Sequence, residues 1–100
     1  MGYEVIIAPL AFRDLEEVFD FIARDSPDNA SRFVRHLIDS TRKLSDFPKL
    51  GRIVPNFKNP LIRELVVRSY RVIYRLDPIN EHVEIVRFWH AARGTPRIDL

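Results

Sequence analysis

Apolar and polar positions change their period several times along this chain, and each change marks an element. Tyr3 to Ala8 is a short β-branched run that ends at Pro9, the pattern of a first strand. Phe12, Leu15, Val18, Phe19 and Ile22 then recur at three- and four-residue steps. That is the period of a helix, and Pro9 is tolerated in its first turn. Asp14, Glu16, Glu17 and Asp20 fill the opposite face, where they suit the positive end of the helix dipole. The pattern breaks at Asp25-Ser26-Pro27-Asp28. Ser26 is a good cap and Pro27 fits the first position of a second helix. Ala30, Phe33, Val34, Leu37, Ile38, Thr41 and Leu44 form the stripe of that helix, which closes before Phe47-Pro48. With so short a break between them, the two helices should form an antiparallel hairpin.

Phe47 to Pro60 holds three prolines and Gly51 and shows little periodicity, so it reads as an ordered loop. Ile62 to Val67 is a strand. Tyr70, Val72, Tyr74 and Leu76 then alternate with Arg71, Ile73 and Arg75, a period of two. Turn residues at Asp77-Pro78-Ile79-Asn80 separate this run from Val83 to Trp89, which makes the pair an antiparallel hairpin. The element order is β-α-α-β-β-β. The fold class is α+β, with the helical hairpin packed on one face of a small antiparallel sheet of four strands. Phe33, Leu37, Ile38 and Leu44 are expected between helix and sheet. The other sheet face presents Arg71 and Arg75 with Ile73 between them. Ala91 to Leu100 is a polar tail, expected to be loose.

Composition narrows the chemistry. One hundred residues, 46% of them hydrophobic, suit one domain spanning 1–100. There is no cysteine, which removes disulfides and zinc–thiolate sites. No basic region precedes an apolar run at the N-terminus, and no apolar run reaches the length of a membrane span. A cytoplasmic protein with no membrane partner is the expectation. His36, His82 and His90 sit on different elements without the spacing of a metal site, and the only glycines are Gly2, Gly51 and Gly94. Neither a metal nor a phosphate-cradling loop is expected, and no cofactor.

The net charge of +2 is unevenly placed. Residues 1–50 hold 7 Lys/Arg against 9 Asp/Glu, and residues 51–100 hold 9 against 5. In the second half every basic residue but Lys58 is arginine, the cation suited to bidentate contacts with phosphate or carboxylate. Arg63, Arg71, Arg75, Arg87, Arg93 and Arg97 lie in or after the strands, and His90 closes the last one beside Trp89. Guanidiniums with one imidazole can steady charge on a phosphate and move a proton near neutral pH. The plainer reading pairs Arg63, Arg75 and Arg87 with Glu64, Asp77 and Glu84 on a solvated face.

The element order, the segment Phe47-Pro48-Lys49-Leu50-Gly51-Arg52-Ile53-Val54-Pro55, the runs Ile62-Arg63-Glu64-Leu65 and Tyr70-Arg71-Val72-Ile73-Tyr74-Arg75, and the ending Trp89-His90-Ala91-Ala92-Arg93 together resemble the RelE/ParE superfamily of type II toxins. The resemblance spans nearly the whole chain. It implies a bacterial toxin made alongside a cognate antitoxin that wraps and silences it, in a toxin–antitoxin hetero-oligomer. RelE-like members cut messenger RNA on the ribosome, whereas ParE-like members poison DNA gyrase. For a nuclease, Arg71, His90 and Arg93 are the implied catalytic residues. For target binding, Arg63, Arg75, Arg87, Arg93 and Arg97 are. The tyrosine of the RNA-cutting site has no match between Gly94 and Leu100. That absence and the long helix pair point to gyrase inhibition, with ribosome-dependent mRNA cleavage as the alternative. A degenerate member that only binds its antitoxin is a third possibility.

Overall fold

Proline sets where both helices begin. In the computed structural model, which describes residues 2–98, β1 (Glu4–Ile7) runs almost directly into α1 (Pro9–Ala23). The second helix, α2 (Pro27–Arg42), starts one residue after Ser26, whose hydroxyl accepts a hydrogen bond from the Asn29 backbone N–H at 3.2 Å. Four further strands follow: β2 (Arg52–Ile53), β3 (Ile62–Val67), β4 (Tyr70–Asp77) and β5 (His82–His90). Single 3₁₀ turns sit at Pro55–Phe57 and Ala91–Arg93. Asp77 closes the β4–β5 turn by accepting from the Asn80 backbone N–H and its side-chain amide, and those bonds hold its carboxyl below the usual range.

The fold is α+β, as expected, with the helical hairpin over one face of the sheet. The sheet itself differs from the expectation in two ways. It has five strands in the order β1-β5-β4-β3-β2, and β1 runs parallel to β5, with Glu4 opposite His82 and Ile7 opposite Ile85. The other pairs are antiparallel. The direction of β1 depends on how the helical hairpin crosses the sheet, which no local pattern records. β2 is two residues long, too short to show a period, and lies in the stretch read as loop.

Leu15, Val18 and Leu37 of the helices, with Leu44 just past the end of α2, pack with Val67, Val72, Tyr74, Leu76, Val83, Ile85 and Phe88 of the sheet. Of the four residues expected between helix and sheet, Leu37 and Leu44 are fully buried, while Phe33 and Ile38 are half-buried at the margin of the same core. Burial of such side chains contributes about 1.5–3 kcal/mol each. The far face is not the solvated arginine face of the sequence reading. Val54, Ile62, Ile73 and Trp89 form a second core there, joined by Phe57, Val86 and Ile98.

The tail is correspondingly ordered rather than loose. Arg71 donates to the Gly94 carbonyl and, at 3.0 Å, to Thr95 Oγ1. Pro96 is buried and Ile98 reaches the second core. Two of the residues in that expectation, Asp99 and Leu100, lie outside the described residues. The tail has few apolar side chains, but a waiting guanidinium and an uncovered apolar patch hold it.

Tyr74 pins the loop that precedes β2. Its hydroxyl donates to the Pro48 carbonyl and accepts from the Gly51 N–H, each at 2.8 Å. Gly51 is required there by close approach. A Cβ would stand 2.6 Å from the Glu64 carbonyl oxygen and 2.7 Å from the Tyr74 hydroxyl. Replacing Tyr74 with Phe leaves both backbone groups without their partner and should cost about 1–3 kcal/mol in denaturant unfolding. Burial raises the Tyr74 phenol above its ordinary value of 10.0, against the lowering effect of the Gly51 bond. A raised folded-state value stabilises fully below the unfolded pKa and is lost as pH rises through the folded one. Wild-type stability should therefore fall in the alkaline range above about pH 10, and Tyr74→Phe should flatten that fall.

Candidate functional site

The arginines of the strand half do not form one cluster. Each is drawn to a different partner, and the sheet register explains how. Arg71 and Arg75 share the far face of β4, but they part. Arg75 pairs with Glu84, its cross-strand neighbour on β5. Arg71 reaches Glu64 on β3, with its Nε 2.6 Å from Oε1. The second oxygen of Glu64 accepts from Arg52 Nε and Nη2, each at 2.7 Å. The Glu64 side chain has no exposure at all, and the Arg71 side chain keeps 11%. One buried carboxylate is thus held between two guanidiniums, one dry and one wet.

Arg63, Arg75 and Arg87 do not take all the partners that the charge pattern suggested. Arg63 donates to the Gly51 carbonyl at 2.9 Å rather than to Glu64. Arg75 pairs with Glu84 rather than with Asp77. Arg87 makes a two-pronged bond to Asp14 of α1, both contacts at 2.8 Å. The same Asp14 carboxylate accepts the Phe88 backbone N–H at 3.0 Å. Hydrogen bonding to Asp14 raises the Arg87 pKa further above its ordinary value. Asp14, read as part of a solvated helix face, is instead buried. Arg97 is exposed.

Arg71 and His90 lie on opposite faces. On β4 and β5, Tyr70 is opposite His90 and Arg71 is opposite Trp89. Alternate residues of a strand point to opposite sides, so Arg71 faces the second core while His90 faces the helix side. There His90 joins Tyr70 and Arg93 in a cleft of about 550 Å³, walled by Val18 and Phe21 of α1 and by Phe88. The Tyr70 ring meets His90 edge-on at 5.1 Å. His90 Nδ1 accepts from the Ala92 N–H at 3.1 Å, which leaves Nε2 as the proton-bearing nitrogen of the neutral ring. Arg93 is exposed, with its guanidinium 3.8 Å from the Trp89 ring centre. Burial raises the Tyr70 phenol and Arg93 partly offsets this, so Tyr70 is a proton donor at neutral pH and not a base.

His90 and Arg93 therefore come together as the sequence reading paired them, and Arg71 does not. Tyr70 is the residue that reading missed. It had been assigned to the oily strand face. Counting the β4–β5 hairpin outward from its turn places Tyr70 near His90, but the register shifts between Ile73 and Tyr74, and periodicity does not locate that shift. Among the described residues no three His, Asp or Glu side chains converge as a metal site requires.

A family profile described as ParE toxin of type II toxin-antitoxin system, parDE, matches residues 5–94. The inferred toxin Y4kP of Sinorhizobium fredii is 33% identical over 90 residues, covering 88% of each chain. The fold is similar to that in the chromosomal ParDE system from P. aeruginosa, with a TM-score of 0.74 at 17% identity over 89% of this chain and 96% of that one. It is also similar to the toxin–antitoxin complex RelBE2 from Mycobacterium tuberculosis, with a TM-score of 0.68 at 22% identity over 90% of this chain and 99% of that one.

The Glu64 pair should respond unequally to truncation. Arg71→Ala strands a buried carboxylate and takes away the anchor of the tail, for an expected loss of about 3–5 kcal/mol. Arg52 is 67% exposed, so Arg52→Ala should cost at most about 1 kcal/mol. Equilibrium unfolding of both variants beside the parent checks this.

Proposed function

The chain belongs to the ParE toxin family of type II toxin-antitoxin systems, and from that premise we propose that a cognate antitoxin silences it and that its target is DNA gyrase. The observation that carries the choice of target is the engagement of Arg71. A nuclease would need that guanidinium free to meet the scissile phosphate alongside His90 and Arg93. It is instead neutralised by Glu64, bonded to the tail, and turned to the other face of the sheet. Of the five arginines named for target binding, Arg93 and Arg97 are exposed at the end of the sheet, whereas Arg63, Arg75 and Arg87 are engaged within the protein. A ParE-like inhibitor requires no proton transfer, which agrees with His90 lacking a second cation committed to a reacting group.

The antitoxin has a surface suited to it. Phe12, Phe19, Val34 and Ile38 line an apolar groove between α1 and α2, with Glu16 and Asp20 at its rim. Phe12 is 56% exposed there. An amphipathic helix with basic flanks would fit that groove, while an extended segment could pair with the free side of β2.

Ribosome-dependent mRNA cleavage has one observation in its favour. Tyr70, His90 and Arg93, a donor, an imidazole and a cation, line a common cleft with Asp14, Glu17 and Asp20 of α1. Induction in cells separates the two readings. The expected result is an SOS-type DNA-damage response that precedes any fall in translation. His90→Ala should leave toxicity intact. Arg93→Ala combined with Arg97→Ala should reduce gyrase-dependent DNA breaks about tenfold or more, as for loss of anchoring arginines at an interface. Immediate loss of translation, with toxicity abolished by His90→Ala, would instead establish the RNA-cutting reading.

A further inference from the structure

Trp89 has a feature that its place in the second core does not explain. It is 9% exposed, and its indole N–H has no hydrogen-bond partner among the described residues. A buried donor left unpaired costs stability that phenylalanine, with no polar atom, would keep. What tryptophan adds over phenylalanine is its face, the best of the aromatic rings for holding a cation. Two guanidiniums lie over the ring, that of Arg87 at 4.7 Å from its centre and that of Arg93 at 3.8 Å.

The two cations are not alike. Arg87 is bonded through Nε and Nη2 to both oxygens of Asp14, and its side chain is 15% exposed. Its charge is answered inside the protein, so a second cation can approach the same ring without the repulsion of two bare charges. Arg93 comes from the 3₁₀ turn Ala91–Arg93, is exposed, and has no carboxylate partner among the described residues. An arginine on a surface turn ordinarily samples many rotamers. Here its guanidinium rests on a ring that is fixed in the core, and the residue still lines the cleft of Tyr70 and His90. We propose that Trp89 is a positioning residue: its ring holds the Arg93 guanidinium in one attitude at the sheet end, ready for the target, and Asp14 neutralises Arg87 so that the ring can take this second cation. The use of Arg93 on the target rests on the gyrase reading above, whereas the holding of Arg93 does not. Ordering the side chain before the encounter lowers the cost of binding.

Trp89→Phe and Trp89→Leu separate the face of the ring from its bulk. Both shrink the side chain within the core, and thermal unfolding followed by circular dichroism shows that each stays folded. Position is read from the Arg93 Nε–H order parameter by ¹⁵N relaxation of the full chain. It should be that of a rigid group in the parent and in Trp89→Phe, and fall below about 0.6 in Trp89→Leu. Trp89 is the one tryptophan of the chain, so its emission reads the same contact from the other side in Arg93→Ala, which leaves the core untouched. A change in that emission is expected. Function is read from gyrase-dependent DNA breaks. Trp89→Leu should lower them about two- to fivefold, the worth of an exposed cation–π contact, and Trp89→Phe should retain most of the activity. In an Arg93→Ala background Trp89→Leu should cost nothing further, whereas a merely structural loss would add. An Arg93 order parameter that is low in the parent or unchanged in Trp89→Leu would overturn the proposal, as would Trp89 emission indifferent to Arg93→Ala, or additive losses in the double variant. If Arg93→Ala leaves DNA breaks unchanged, the gyrase reading fails, and the order parameter and the emission decide whether Trp89 holds Arg93.

Discussion

A carboxylate with no access to water is the constraint around which the strand half of this protein is arranged. Glu64 has zero side-chain exposure. An isolated charge there would be prohibitive, so its two oxygens require two cations. Arg52 comes from β2 and Arg71 from β4, so satisfying Glu64 stitches β2, β3 and β4 together. Arg71 also donates from Nη1 to the Gly94 carbonyl and to Thr95 Oγ1, which brings the tail across the far face. The same close packing leaves Gly51 no room for a side chain, because the Glu64 backbone and Tyr74 already fill it. One buried charge therefore fixes a short edge strand, a loop and a tail that have little apolar surface of their own.

Asp14 plays the matching part at the opposite edge. β1 pairs with β5 only from Glu4 to Ile7, so beyond Ile85 that side of β5 has no strand beside it. The Asp14 carboxylate accepts the Phe88 N–H there and grips Arg87 with both oxygens. A helix side chain thus takes over where the neighbouring strand stops, and it ties α1 to the sheet with charge as well as with Ala11, Leu15 and Val18. The two arginines held by these carboxylates are accordingly structural groups first. Arg68 at the β3–β4 turn and Arg93 and Arg97 near the sheet end have no such carboxylate partner among the described residues.

Much of this was legible in the sequence because it rests on local rules. Pro9, Ser26 and Pro27 mark both helix starts, and the stripes of α1 and α2 name Leu15, Val18, Leu37 and Leu44 as core. The β4–β5 hairpin follows from the alternation and the turn at Asp77. What stayed hidden has a common cause. The second core draws single apolar residues, such as Val54, Ile62, Ile73 and Trp89, from four different segments, so no one stretch displays a stripe. The partners of Arg71 and Arg87 lie 7 and 73 positions away, and charge patterns carry no information at such separations. The family resemblance supplied Arg71 and Arg93, but it could not reveal that Arg71 faces away from His90.

The parallel pairing of β1 with β5 has a consequence for how the molecule comes into being. Glu4 is synthesised long before its partner His82. During translation the N-terminal strand has no neighbour to pair with, although the helical hairpin that follows it can already form from local contacts. Closing the sheet must wait until β5 is available, and contacts of such long separation form slowly. Until then the helices expose part of the apolar face that the sheet will cover, and the Tyr70–His90 cleft, which needs β5, does not exist. The helices are therefore made before β1 gains its strand partner, and their apolar face waits uncovered for that interval.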